Sequence, residues 1–195
     1  MRAAALGFLV VVVGVFAATT APTSAHNTGA RCGHELWDLK TLSDPRRDLI
    51  YARPRLTTII AINARQMPRR TPTLRSRGYE RHVWRLVAQI TNFKLARNGD
   101  ILLVLFDKSD YMIAKMPAAE CLPSTARYRR ATINTRHLFE SRCGTATRRW
   151  QDLGAIVYLQ GVGFWNFPHR ERGHARNYAE LHPLTRIQFI AGCGG

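Results

Sequence analysis

The chain has 195 residues, 46% of them hydrophobic, with 29 Lys+Arg against 13 Asp+Glu and a net charge of +16. That length allows one domain with a real core, and the charge favours polyanions such as nucleic acid, anionic lipid or cell-wall polymers, or serves solubility alone. The absence of GxSxG, P-loop, HExxH and dinucleotide fingerprints excludes the standard enzymes that carry them, and the absence of CxxC spacing excludes a thioredoxin-type redox site.

The chain begins MRAAALGFLVVVVGVFAATTAPTSAH. Arg2 is a short basic region, Ala3 to Ala18 an apolar core, and Thr23-Ser24-Ala25 a small-residue cleavage site. The pattern predicts a signal peptide over residues 1–25 and a secreted, periplasmic or cell-envelope protein with no transmembrane span after cleavage. The apolar core is short for a bilayer anchor. The mature chain would keep 28 basic and 13 acidic residues, a net +15.

Residues 26–79 are expected to form a basic N-terminal extension that packs on the main domain. Residues 46–85 hold eleven arginines against Asp48 and Glu80, and Pro54, Pro68 and Pro72 interrupt any long helix. Leu56 to Ile62 is β-branched and reads as a short strand or a short helix.

The main domain is expected over residues 80–195. Val83 to Ile90 alternate as a strand does. Asn98-Gly99 is a hairpin signal, because both residues accept positive φ. Ile101 to Asp107 and Tyr111 to Lys115 follow as strands. Ser124 to Arg142 reads as a helix ended by Cys143-Gly144, and Thr145 to Leu153 as a second short helix. Ala155 to Phe167 and Leu184 to Ile190 complete five strands. Three strands, a helix and two strands give a mainly β fold: a small, closed or partly open OB-like β-barrel. Closure would leave its short strands without exposed edges.

An even number of cysteines in an oxidising compartment implies two disulfides. Three connectivities are possible, and the expected one is Cys121–Cys143, closing a local loop around the helix, with Cys32–Cys193 tying the two ends together.

The segment GVGFWNFPHRERGHARNYAELHP, residues 161–183, gathers histidines, glutamates and asparagines between two apolar runs. Polar groups in a loop between strands are a common way for a barrel to carry a site. Glu180 and His182, two apart, share a strand face, and His169 can meet them across the loop. These three are the candidate catalytic residues: histidine titrates near neutral pH, and two histidines with a carboxylate also form a zinc donor set. The competing reading is a buried His–Glu–Asn network that pins the loop. Asp100, Asp107 and Asp110 are candidate Ca²⁺ ligands or plain turn residues. No cofactor or metal is assigned. Arg81, Arg85, Arg97, Trp165, Asn166 and Asn177 are the candidate ligand-binding residues, because OB barrels bind single strands with basic grooves and aromatic platforms.

The blocks WDLKTLSDP (37–45), NGDILLVLFD (98–107), GVGFWNFPH (161–169) and NYAELHPL (177–184) resemble a group of small exported bacterial proteins of uncharacterised function. Thr57-Thr58, the lead Pro72, Arg77 and Glu80, and the block MIAKMPAAEC (112–121) add to the resemblance. It covers most of the mature chain and implies export and a shared fold, without a substrate. In that group an acidic residue is usual at 98, a histidine at 102 or 103, a glutamate at 115, an aspartate at 166, Gly-Gln at 170–171 and a proline at 176. Here those positions hold Asn98, Leu102 or Leu103, Lys115, Asn166, Arg170-Glu171 and Arg176, while His169, Asn177, Glu180 and His182 match. The missing acids weaken a cation-dependent mechanism.

The expected function is therefore an exported, non-enzymatic module that binds an anionic partner such as single-stranded nucleic acid or an envelope polymer. The alternatives are a secreted nuclease and a structural or inhibitory module that binds a protein.

Overall fold

A computed structural model describes residues 32–194 and Met1. The expected signal peptide, apart from Met1, lies outside the described residues. Among the described residues there are six strands: β1 (Tyr51–Leu56), β2 (His82–Leu95), β3 (Ile101–Asp107), β4 (Asp110–Met116), β5 (Gln151–Trp165) and β6 (Ala179–Ala191). The helices are α1 (Trp37–Thr41), α2 (Ile59–Asn63) and α3 (Arg129–Cys143).

The sheet order is β1-β2-β3-β4-β6-β5, and β2 also pairs with β5. The strands β2-β3-β4-β6-β5 thus close into a barrel. β4 and β6 meet in parallel at Ile113↔Glu180 and Ala114↔Leu181, while the other pairs of the ring are antiparallel. This is the OB arrangement, with α3 between the third and fourth strands of the ring. β1 lies outside the ring, parallel to the first half of β2.

Alternation along each strand sends one set of side chains inward. Leu86, Ala88 and Ile90, with Ile101, Leu103, Leu105, Met112, Ala114, Met116, Val157, Leu159 and Leu181, fill the barrel. Helix α3 closes one end: Phe139 meets Phe93 edge to face at 5.1 Å, and Arg136 donates to the Gly99 and Met116 carbonyls. Helix α2 closes the other end with Ile59 and Ile62, and its Asn63 donates to Asp110 and to the Tyr111 carbonyl.

Within residues 32–79, Leu39, Leu42, Ile50, Ile59, Ile62 and Arg75 are buried, while all of β1 is exposed. Arg75 is buried and donates to Asp44 at 2.7 Å and to the Leu39 and Glu80 carbonyls. Leu56 to Ile62 divides between the end of β1 and α2, which Thr58 caps by accepting from the Ala61 N–H. Thr145 to Leu153 is not helical: α3 stops at Gly144, in a positive-φ conformation, and the chain enters β5 at Gln151. In residues 145–153 an extended edge competes with a weak helix pattern, and pairing to Phe93 decides the outcome.

The disulfides differ from the expected pairing: they are Cys32–Cys121 and Cys143–Cys193. Cys121 precedes α3 and Cys143 ends it, so a 15-residue helix of about 22 Å separates them. Each cysteine instead meets what its end of the helix faces. Cys193 follows β6 back to the far end of α3, and Cys32 anchors the segment that leads into α1.

Candidate functional site

Inward-facing residues of β3, β4 and β6 alternate with a polar set on the outer face: Asp100 just before β3, Lys115 on β4, and Glu180 and His182 on β6. Two elements cover this face. One is α1, which brings Trp37 and Lys40; the other is the loop 166–178. The Trp37 and Phe164 rings each stand nearly perpendicular to the His182 ring, with centroids at 6.4 and 5.8 Å. Trp37 Nε1 donates to the Cys121 carbonyl, so the Cys32–Cys121 bridge and this bond hold the covering segment at one place.

Glu180 is 1% exposed and sits at the centre. Its carboxylate lies 3.0 Å from the Lys115 ammonium and accepts from Asn166 Nδ2 at 2.8 Å. His169 Nε2 is 3.3 Å from Glu180 Oε1. His169 Nδ1 accepts from the Glu171 N–H, which leaves Nε2 as the ring nitrogen that faces Glu180. Burial alone would raise the Glu180 pKa; Lys115, His169, His182 and Asn166 outweigh it and hold the carboxyl well below its usual range.

His182 is wholly buried. Its Nε2 is 3.5 Å from Asp100 Oδ2 and its Nδ1 3.9 Å from Glu180 Oε2, beyond good hydrogen bonds. Burial first, and Lys115 second, push its pKa well down, so the ring is neutral. Asp100 accepts from Asn98 Nδ2 at 2.8 Å, and burial raises its pKa to about 6 against the pull of Lys115 and Lys40. Lys115 stays charged: its pKa is lowered by burial but raised further by Glu180 and Asp100.

Above this network is an open pocket of about 300 Å³ lined by Lys40, Lys115, Asn166, His169, Glu35 and Glu171. Lys40 is 9% exposed and packs 5.4 Å from the Phe164 ring centre. Among the described residues its ammonium has no hydrogen-bond or ion-pair partner. Burial, then Lys115, lowers its pKa; Glu180, Asp100 and Glu35 oppose the shift. Glu171 at the rim is paired with Lys94 at 2.5 Å.

The structure thus brings His169, Glu180, His182 and Asn166 together, as the polar segment suggested. Asn177 is elsewhere: it donates to the Ile62 and Arg65 carbonyls and ties the loop to α2. Trp165 is not a stacking platform, since it is 3% exposed and packs inside the barrel against Tyr79. Its place on the inward register of β5 decides this. Arg85 stands on the open outer face of β2 beside Tyr158 and Arg186, Arg97 lies past the far end of that strand near Arg148, and Arg81 precedes it. Arg85 and Arg97 thus line different pockets. Asp107 and Asp110 sit at the opposite end of the β3–β4 hairpin from Asp100, where Asp110 pairs with Arg176. Among the described residues no group of three or more His, Cys, Asp or Glu is placed to hold a metal ion, and no helix is long and apolar enough to cross a membrane.

Lys40 was absent from the sequence-based site. A signal for it exists: only Lys40, Lys94, Lys108 and Lys115 are lysines among 29 basic residues, and three of the four stand at this pocket or its rim.

No family model and no curated protein matches the chain. Among solved structures it is similar to a crystal structure assigned as an aspartyl-tRNA synthetase from Leishmania major Friedlin, with 12% identity and a TM-score of 0.43. The match covers 73% of this chain and 22% of that one, so the chain spans about a fifth of its neighbour's length. The barrel topology rests on the strand pairings themselves.

Proposed function

We propose that this is an exported barrel that binds an anionic partner through one charged group seated in the pocket between α1 and the loop 166–178. The observation that carries the reading is Lys40: a residue only 9% exposed whose ammonium faces the pocket beside the Lys115 ammonium, with no ion-pair partner among the described residues. A partly desolvated charge without a partner carries a cost, and a ligand carboxylate or phosphate would offset it. The pocket suits a single anionic group, on an envelope polymer or a small molecule. It does not suit a nucleic-acid strand, because the protein's own loop covers the outer face of β3: Gly173 packs on Val104, and Trp150 packs against Leu102, Val104 and Ile113.

The nuclease reading has less support. Glu180 is committed to Lys115 and Asn166, and His182 has no solvent contact, so neither is placed to move a proton to or from a substrate.

The test is thermal unfolding of residues 26–195 with both disulfides formed, in acetate or phosphate against chloride at matched ionic strength. A bound anion raises Tm in proportion to the logarithm of its concentration. The expected result is stabilisation of the wild type by acetate or phosphate and its loss in Lys40→Met. Equal responses in the two proteins would sink the reading.

A further inference from the structure

Lys40 is more than a spare charge. This chain builds its positive surface from arginine, yet both buried cations at the pocket are lysines. Arginine cannot lose its proton in a protein, whereas a desolvated lysine beside another cation can present a free amine. Two general ways of making a lysine nucleophilic are an apolar setting and a neighbouring positive charge. Lys40 has the positive neighbour in the Lys115 ammonium, held in place by Glu180, and is itself 9% exposed, while the Phe164 ring face 5.4 Å from its Nζ works the other way, toward the charged form. No carboxylate neutralises Lys40 directly, and its amine lines open space.

We propose that Lys40 Nζ is a nucleophilic amine that forms an imine with a small aldehyde or ketone bearing a carboxylate. The inference rests on the pocket being an anion site. Lys115 and Asn166 both bond Glu180 but each has a further N–H to offer the ligand's carboxylate, and Lys40, which lines the same pocket, meets its carbonyl carbon. The neutral amine forms a C–N bond while the C=O π pair moves onto oxygen. The nitrogen gives up a proton and the oxygen gains one, making a carbinolamine. Loss of that oxygen as water, with the nitrogen lone pair forming C=N, completes a reversible reaction in which amine and carbonyl become imine and water. No oxidant or reductant is needed.

Lys115, Glu180, Asp100 and Glu35 are the charged groups that bear on Lys40. Of these, Lys115 favours the free amine, while the three carboxylates favour the ammonium. Burial acts with Lys115, and the net direction is toward the free amine.

The experiment exposes the oxidised mature chain to glyoxylate and cyanoborohydride near neutral pH and maps the modified lysines by peptide mass spectrometry. Exposed Lys108 serves as the internal reference. The proposal expects Lys40 to be modified faster than Lys108 by about tenfold or more. It also expects Lys40→Met to remove the fast site while the variant still unfolds in one cooperative transition. Modification of Lys40 no faster than Lys108 overturns it. Acetate separates the two readings. If acetate stabilises the protein and no imine is trapped at Lys40, the imine proposal fails and the anion site stands. If Lys40 is trapped quickly and acetate neither slows trapping nor stabilises the protein, the amine is nucleophilic without a carboxylate subsite, and the anion reading and the proposed ligand class both fail.

Discussion

Glu180 is an acid that gives up solvent entirely and still keeps its charge, because Lys115, Asn166 and His169 converge on it. Removing one partner of such a pair leaves the other charge buried alone. Glu180→Ala is therefore expected to cost about 3–5 kcal/mol in urea unfolding. The double variant Glu180→Ala/Lys115→Met should lose less than the sum of the single variants. A Glu180→Ala protein with unchanged stability would mean that the network contributes nothing.

Asp100 behaves in the opposite way. Its folded pKa of about 6 lies above the ordinary 3.8, so the folded state holds the proton more tightly than the unfolded chain does. Stability from this residue is full below about pH 4 and is lost as pH rises toward 6. Asp100→Asn removes that loss. Relative to wild type, the variant should gain about 2–3 kcal/mol between pH 4 and pH 7. A difference that does not change with pH would contradict the assignment. His182 has the reverse sign: its folded pKa is depressed, so its contribution is present above about pH 6.5 and is lost as pH falls.

At the scale of elements, the strap that enters β2 depends on a missing side chain in β5. A Cβ on Gly163 would stand 2.3 Å from the Tyr79 carbonyl oxygen, and that oxygen accepts from Trp84 Nε1 at 2.9 Å. Both groups are backbone or core, so neither can swing away. Gly163→Ala should destabilise by about 1–3 kcal/mol or more, as overpacking does. Gly154, on the same strand, faces open space with φ outside the left-handed range. Gly154→Ala is expected to be neutral or to stabilise by up to about 1 kcal/mol. Similar losses in both variants would show that flexibility of β5, not the Tyr79 contact, sets the requirement.

At the scale of the whole molecule, the two disulfides separate two tasks. Cys143–Cys193 joins the end of α3 to the end of β6, so it staples the barrel. Cys32–Cys121 fixes the segment that carries α1 and Lys40 over the site. Removing Cys143–Cys193 with paired serines should cost about 2–4 kcal/mol of barrel stability. Removing Cys32–Cys121 should reduce anion-dependent stabilisation in the acetate or phosphate series even where the barrel stays folded. Non-reducing peptide mapping checks the pairing itself, and a Cys121–Cys143 peptide would refute it.

The barrel was readable because it is written in local pattern. Val83 to Ile90 alternate with a period of two, Asn98-Gly99 sets the next reversal, and Gly144 stops the helix. That order of elements leaves few ways to close a sheet. The polar loop was also readable, since His169, Asn166, Glu180 and His182 are concentrated in one segment and two of them share a strand face. Three things belonged to the tertiary structure alone. Disulfide partners depend on which helix end each cysteine meets, and four cysteines by themselves allow three answers. Trp165 and Asn177 have ordinary loop-flanking sequence, and only the register of β5 and the position of α2 turn one inward and the other toward the backbone of residues 62–65. Lys40 lies 140 residues from Glu180 along the chain, and beyond the scarcity of lysine nothing in its sequence neighbourhood distinguishes it. Its burial, its neighbour Lys115 and its lack of an ion-pair partner among the described residues arise only when α1 is folded down across the barrel, because long-range electrostatics are set by position in space and not by sequence neighbours.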